Sequence, residues 1–345
     1  MTEIFDLRLT SEACHHFRPG EASVYGGFCS VKLPGSDPRL TVIAEAERQE
    51  WMRSGCGVVL GWSIERHYSR GEIRSAELFR LIPTSRFEPT GEECGTEYDI
   101  TGVCPDCLAG RIQRSDLVLD LRKLPKRGGF AVSLGGEIVV SHETAEQLID
   151  AKLTGFGLKP VRHRTSKFTG PLQLEMVPAG RELLAQAEGA GLSAHQASFY
   201  VWLNRPENAS VLDRAMSEAG VHHAAQTAGK PLPVWYQLVA EGAPVVIDGR
   251  TRFGINPLND DPAKQFRCAR GHTAGLSVLS EVSVLRSSWD GRDFCVTDRL
   301  VGYHPPDSLV YPEPLLLISP RFRSFLEKHG ARTLRTEVAY LVSKE

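Results

Sequence analysis

The chain has 345 residues, is 41% hydrophobic and 24% charged, and carries a formal net charge of -2. That is the composition of a folded globular protein with room for two domains or one composite body, and the lack of a basic excess argues against a nucleic-acid binder. No apolar run approaches the roughly 18 residues of a membrane span, and the opening MTEIFDLRLT lacks a secretory-signal pattern, so a cytoplasmic location is expected.

Residues 1–75 read as an N-terminal α+β extension. Residues 4–9 alternate apolar and polar as a strand does. Residues 24–33 form a second strand candidate interrupted by Gly26-Gly27, and residues 57–64 a third. Between them residues 44–54 read as a helix that Gly55 would terminate. Cys14, Cys29 and Cys56 lack metal-ligand spacing and are expected as separate buried thiols. His15 and His16, placed on a strand, would face opposite ways and share no ion.

Residues 76–170 form a first unit. It opens on a strand at 76–82, followed by a loop with Glu92, Glu93 and Cys94, and then the knuckle Cys104-Pro105-Asp106-Cys107. Strands are expected at 116–121 and 137–140, with Ser141 as the N-cap of a helix carrying Ala145, Leu148, Ile149 and Leu153. Gly155-Phe156-Gly157 would stop that helix and residues 158–163 return as a strand. Residues 171–232 read as a connecting helical region, with a strand at 171–177, helices at 181–187 and 210–228, and exposed His222 and His223.

Residues 233–345 repeat the plan of the first unit. Trp235-Tyr236-Gln237-Leu238-Val239 takes the place of Leu78-Phe79-Arg80-Leu81-Ile82, and Cys268 that of Cys104. The step from Cys104 to Val118 equals the step from Cys268 to Val282. The strand at 314–319, the N-cap Ser319 followed by Pro320, the helix with Leu326 and the strand at 334–338 match 137–141, the Leu148 helix and its closing strand. Two copies of this length suggest a pseudo-symmetric pair and not a solenoid.

The second knuckle is Cys268-Ala269-Arg270-Gly271-His272. Zinc held by thiolate and imidazole wants four ligands in a tetrahedron. Cys104 and Cys107 supply two, with Pro105 favouring the tight turn between them, and Cys268 and His272 supply the other two. Such a closed shell leaves no position for water and is structural. Alternatives are a site within the first unit that uses Cys94, a part for Cys295 in the second, a redox pair at Cys104 and Cys107, or no metal.

No catalytic motif is found. There is no phosphate loop, no G-x-G-x-x-G, no H-E-x-x-H and no G-x-S-x-G. Ser141-His142-Glu143 holds triad residue types, but sequence neighbours do not converge as a triad. Asp290-Gly291 reads as a tight turn between strands at 283–285 and 294–296, and as a contact loop with Trp289, Asp290 and Asp293. Asn259-Asp260-Asp261 lacks the bidentate partner of an oxygen-ligand cation site. Arg122, Lys123, Lys126 and Arg127 make the one local basic face.

The paired knuckles, the segment Val118-Leu119-Asp120-Leu121-Arg122-Lys123-Leu124-Pro125, and Ile138-Val139-Val140-Ser141 with its helix and Gly155 resemble the bacterial double-CxxCG motif paralogous family over residues 76–164 and 233–342. The chain departs from that pattern at Leu108, where the family has glycine, and at His272, which replaces the second cysteine of the second knuckle. A Cys-to-His exchange preserves zinc ligation. The resemblance implies a cytoplasmic immunity protein that binds and neutralises a toxin domain.

The expectation is therefore an α+β protein of two pseudo-repeated α/β units joined by a structural, zinc ribbon-like Zn2+ site, behind an N-terminal extension. It expects a protein partner, no membrane, and no enzyme activity. The alternative is a zinc-ribbon nucleic-acid-binding or regulatory module using the basic face.

Overall fold

The computed structural model describes residues 1–18, 20–107, 109–125, 128–164, 177–192, 202, 206–218, 234–259, 268, 270–273, 275–302, 311–331 and 333–343. The chain is α+β with several sheets. The expectations for 171–176, for 219–228 with His222 and His223, and for Asp260, Asp261, Lys126 and Arg127 lie outside the described residues.

The first sheet holds β1 (Thr2–Thr10), β2 (Ser23–Tyr25), β3 (Phe28–Pro34) and β4 (Val59–His67) in the order β2-β3-β1-β4. Gly26-Gly27 does not break a strand but turns β2 back onto β3, where Tyr25 faces Phe28. Alternation places Leu7, Leu9, Val31 and Leu33 on one face, and helix α1 (Arg39–Ser54) covers it with Leu40 and Ile43. Gly55 ends α1 in the left-handed region at φ 74°. Residues 11–16 are a 3-10 helix and not a strand, which sets the rings of His15 and His16 4.1 Å apart. Cys14 and Cys29 are joined as a disulfide, and Cys56 is exposed, so the expectation of three separate buried thiols is corrected.

The remaining strands are β5 (Leu78–Pro83), β6 (Tyr98–Asp99), β7 (Ile112–Gln113), β8 (Val118–Leu119), β9 (Phe130–Val132), β10 (Ile138–Ser141), β11 (Phe156–Pro160), β12 (Arg162–His163), β13 (Trp235–Ala240), β14 (Phe253–Gly254), β15 (Ser277–Val278), β16 (Val282–Leu285), β17 (Phe294–Val301), β18 (Glu313–Ile318) and β19 (Leu334–Val342). The helices are α2 (Arg70–Ser75), α3 (Gly91–Cys94), α4 (His142–Asp150), α5 (Pro178–Gly189), α6 (Ala209–Glu218) and α7 (Pro320–Lys328).

The second sheet runs β11-β13-β10-β9 and the third β16-β19-β5-β18-β17. Each therefore has an inner strand from the other end of the chain. β13 lies between β10 and β11, while β5 lies between β18 and β19. The registers correspond. Val140 faces Tyr236 and Val139 faces Gln237, as Ile318 faces Phe79 and Leu317 faces Arg80. Leu158 faces Leu238 as Thr336 faces Leu81. β8 runs parallel to β12 from Val118, and β16 runs parallel to β19 from Val282.

Alternation along these strands sorts side chains into two environments. Phe79, Leu81, Ile138, Val140, Leu238, Phe294 and Ile318 enter one core with Ala145 and Leu148 of α4 and Phe322, Phe325 and Leu326 of α7. The intervening Leu78 and Leu317 share a core on the other face of the third sheet with Val282 and Val284 of β16, and Val139 and Trp235 pack with Leu117 and Leu119. β16 and β17 occupy opposite edges of the third sheet, so the turn at Asp290-Gly291 is not a hairpin between neighbours, as had been expected. Among the described residues no helix is long and apolar enough to cross a membrane.

Candidate metal centre

The two knuckles meet. The Cys104 and Cys268 sulfurs are 3.4 Å apart across 164 positions of sequence. The Cys107 sulfur is 3.3 Å and the Cys268 sulfur 3.6 Å from Nδ1 of His272. All four ligand atoms lie within 4.8 Å of one another, with the cysteines buried and His272 exposed. A tetrahedron with metal–sulfur bonds of about 2.3 Å and a metal–nitrogen bond of about 2.0 Å has edges of roughly 3.5–3.8 Å. The three closest separations, 3.3, 3.4 and 3.6 Å, lie at or just below the short end of that range, and the cluster is compatible with a single ion of this coordination.

Local backbone geometry sets the ligands. The Cys104 N–H donates to the Ala109 carbonyl, closing the first turn, and Gly110 leaves it at φ 100°. The Gly271 N–H donates to the Cys268 carbonyl, and the Arg270 N–H donates to the Cys268 sulfur at 3.4 Å. The Thr273 hydroxyl and the Gly275 N–H then fasten the second knuckle to the carbonyls of Leu300 and Gly302. Ala109 and Leu300 pack against the sulfurs, and Arg270 pairs with Asp106 across the site at 3.6 Å. That ion pair was not anticipated, because nothing in the spacing of two charged residues so far apart announces it.

The thiols are not equivalent. Burial opposes ionisation of Cys104, but the N–H groups of Asp106 and Cys107 and the neighbouring thiols outweigh it and draw Cys104 down to about 6. Burial pushes Cys107 up to about 12. A bound cation would stabilise the thiolate form of each sulfur.

The competing ligands fall elsewhere. Cys94 is buried outside the cluster, and Cys295 of β17 lies in the core that also holds Leu78 and Leu317. Burial pushes each up to about 12, as for an apolar thiol. Asp293 is corrected as a contact residue, since it is 1% exposed. It accepts hydrogen bonds from Thr154, Ser319 and Arg321, joining the end of α4 to the start of α7. Trp289 is half-buried and donates to the Arg292 carbonyl, and Asp290 is exposed and paired with Arg292. In the basic face, Arg122 is bound by Asp120 at 2.7 Å.

No protein-family model, curated protein or solved structure matches this chain.

Proposed function

We propose that the protein is a zinc-stabilised binding protein that neutralises a toxin domain. The observation that carries this reading is the convergence of Cys104, Cys107, Cys268 and His272 into one four-ligand cluster. Three thiolates and an imidazole select zinc over hard cations, and four protein ligands leave no coordination position for a substrate. The ion then acts as a clamp between two units of common plan, which the matching registers of β5 and β13 support. The toxin-binding part rests on the resemblance to the double-CxxCG motif family. The turn sets the half-buried Trp289 beside the exposed Asp290, an aromatic next to a charge, a combination common in interface hot spots.

Two measurements test the reading. Metal analysis of the purified protein is expected to find one zinc per chain, lost in Cys104→Ser/Cys107→Ser; unchanged stoichiometry in the double variant defeats the clamp. Affinity purification from the native cell, followed by mass spectrometry, is expected to recover a toxin domain at stoichiometric yield. Recovery of nucleic acid in its place would defeat the neutralising role.

A further inference from the structure

The second and third sheets border an open cavity of about 480 Å3 just beyond the first knuckle. Its floor is hydrocarbon, with Leu238 of β13, Phe294 of β17 and Leu316 of β18. Its polar wall is formed by Gln113, Glu137, Gln237 and Glu313, with Arg111 at the side. A cavity of this size with an apolar body and a few convergent polar groups is the usual form of a small-ligand site.

The charges of that wall do not balance. Arg111 lies between the rings of Tyr98 and Tyr311, at 4.5 and 3.6 Å from their centroids. Its guanidinium is matched by Glu92 at 2.7 Å, and that carboxylate also accepts from the Tyr311 hydroxyl. Glu313 is matched by Arg86 through two hydrogen bonds of 2.6 and 2.7 Å. Glu137 has hydroxyl donors, Tyr98 and Ser133, and no ion-pair partner among the described residues. It is 7% exposed. The guanidiniums of Arg111 and Arg86 attract it from beyond contact distance, but each is already held by another carboxylate, and Glu137 lines the cavity. Gly135 keeps it clear, because a Cβ there would stand 2.7 Å from Oε2 of Glu137.

We propose that this cavity binds an alkylammonium group, with the ammonium on Glu137 and the hydrocarbon chain along Leu238, Phe294 and Leu316. Gln113 and Gln237, paired amide to amide at 3.1 and 2.8 Å, each keep a carbonyl lone pair for the remaining ammonium protons. Monovalent positive charge is selected because, among the described residues, Glu92, Glu137 and Glu313 outnumber Arg111 and Arg86 by one, and a bare alcohol or an anion cannot supply the missing cation. The same chemistry is offered by a free amine and by a lysine side chain of another protein.

Isothermal titration of the full, metal-loaded chain with hexylammonium, 1-hexanol and hexanoate at one ionic strength tests this. Hexylammonium is expected to bind about tenfold or more tighter than hexanol, and hexanoate to give no saturable heat. Glu137→Gln keeps one carbonyl acceptor for the Tyr98 or the Ser133 hydroxyl and donates an amide N–H to the other, removes the negative charge, and is expected to remove the preference for the cation. Leu316→Trp, which fills the hydrocarbon end, is expected to weaken hexylammonium and hexanol together. No binding of hexylammonium to the wild type, or equal binding of hexanol or hexanoate, overturns the proposal without reference to any variant. A folded Glu137→Gln that keeps the preference overturns it too. Lysine capped as its Nα-acetyl N-methylamide distinguishes the sources: tighter binding than hexylammonium points to a protein side chain, and weaker binding to a free amine, and both support the site.

Discussion

Asp37 stands just ahead of α1 and accepts from the Arg39 backbone N–H and from two guanidinium nitrogens of the same residue. The Arg39 side chain, helped by that N–H, pulls its carboxyl down to about 2. The folded value lies below the unfolded one of about 3.9, so this contribution is complete above the unfolded value and is lost as pH falls toward 2. Asp37→Asn is expected to flatten the acid limb of a stability–pH curve in that window, read as thermal midpoints between about pH 5 and 2. Gly155 is a second residue with a single tolerated identity. Its φ is 92°, and a Cβ there would lie 2.1 Å from the Phe294 carbonyl oxygen. Gly155→Ala is expected to cost more than about 2 kcal/mol in urea unfolding, from left-handed strain and a clash with backbone. Sequence pattern marks Gly155 as a helix stop but hides the crossing strand, because β17 arrives from much further along the chain. Asp293 is the converse case. Its acidic, turn-like neighbours suggest a surface loop, whereas its partner Thr154 is 139 positions away.

Helix ends are local, and so they are legible. Ser141 accepts from the Thr144 N–H at 3.3 Å and Ser319 from the Phe322 N–H at 3.2 Å, as a polar residue before a helical apolar stripe implies. Pro320 occupies the first turn of α7, where its missing N–H is not needed. Ser319 also donates to Asp293, so Ser319→Ala removes a cap and leaves a buried carboxylate short of a donor. The expected loss is about 1–3 kcal/mol in chemical unfolding. Ser319→Thr, which keeps the hydroxyl, should lose less. Short elements were harder to read. Thr90 and Glu93 form a reciprocal capping box over the single-turn α3, and Ser69 and Glu72 do the same for α2. The S/T-x-x-E signal was present in the sequence, but helices this short carry too little periodicity to stand out. β8 was expected over 116–121 and pairs only at Val118–Leu119, because the chain then turns at Asp120 to seat Arg122 and Lys123.

At the scale of the molecule the cluster of Cys104, Cys107, Cys268 and His272 was legible, because a knuckle is a local motif and its partner follows from coordination number. The strand exchange was not, since no residue of β5 or β13 carries a mark of which sheet it will enter. Only the matched registers reveal it. The proposed zinc would tie together two segments 164 positions apart, and its removal would free them. Exhaustive chelation is expected to lower the thermal midpoint without abolishing folding, since the shared core of Phe79, Leu148, Phe294 and Phe322 remains. Truncation within that core acts more broadly. Leu148→Ala, at a fully buried position, should cost about 2–5 kcal/mol in denaturant unfolding whether or not metal is bound.

Because β5 completes a sheet made otherwise from the C-terminal third, and β13 completes one made from the middle, neither portion can finish its own architecture alone. Two polypeptides produced by dividing the gene before β13 should each be insoluble when synthesised separately, and should recover a common fold when synthesised together. On the ribosome the second sheet can close only after β13 has been made, and β5 must wait with both edges open until β18 and β19 have followed.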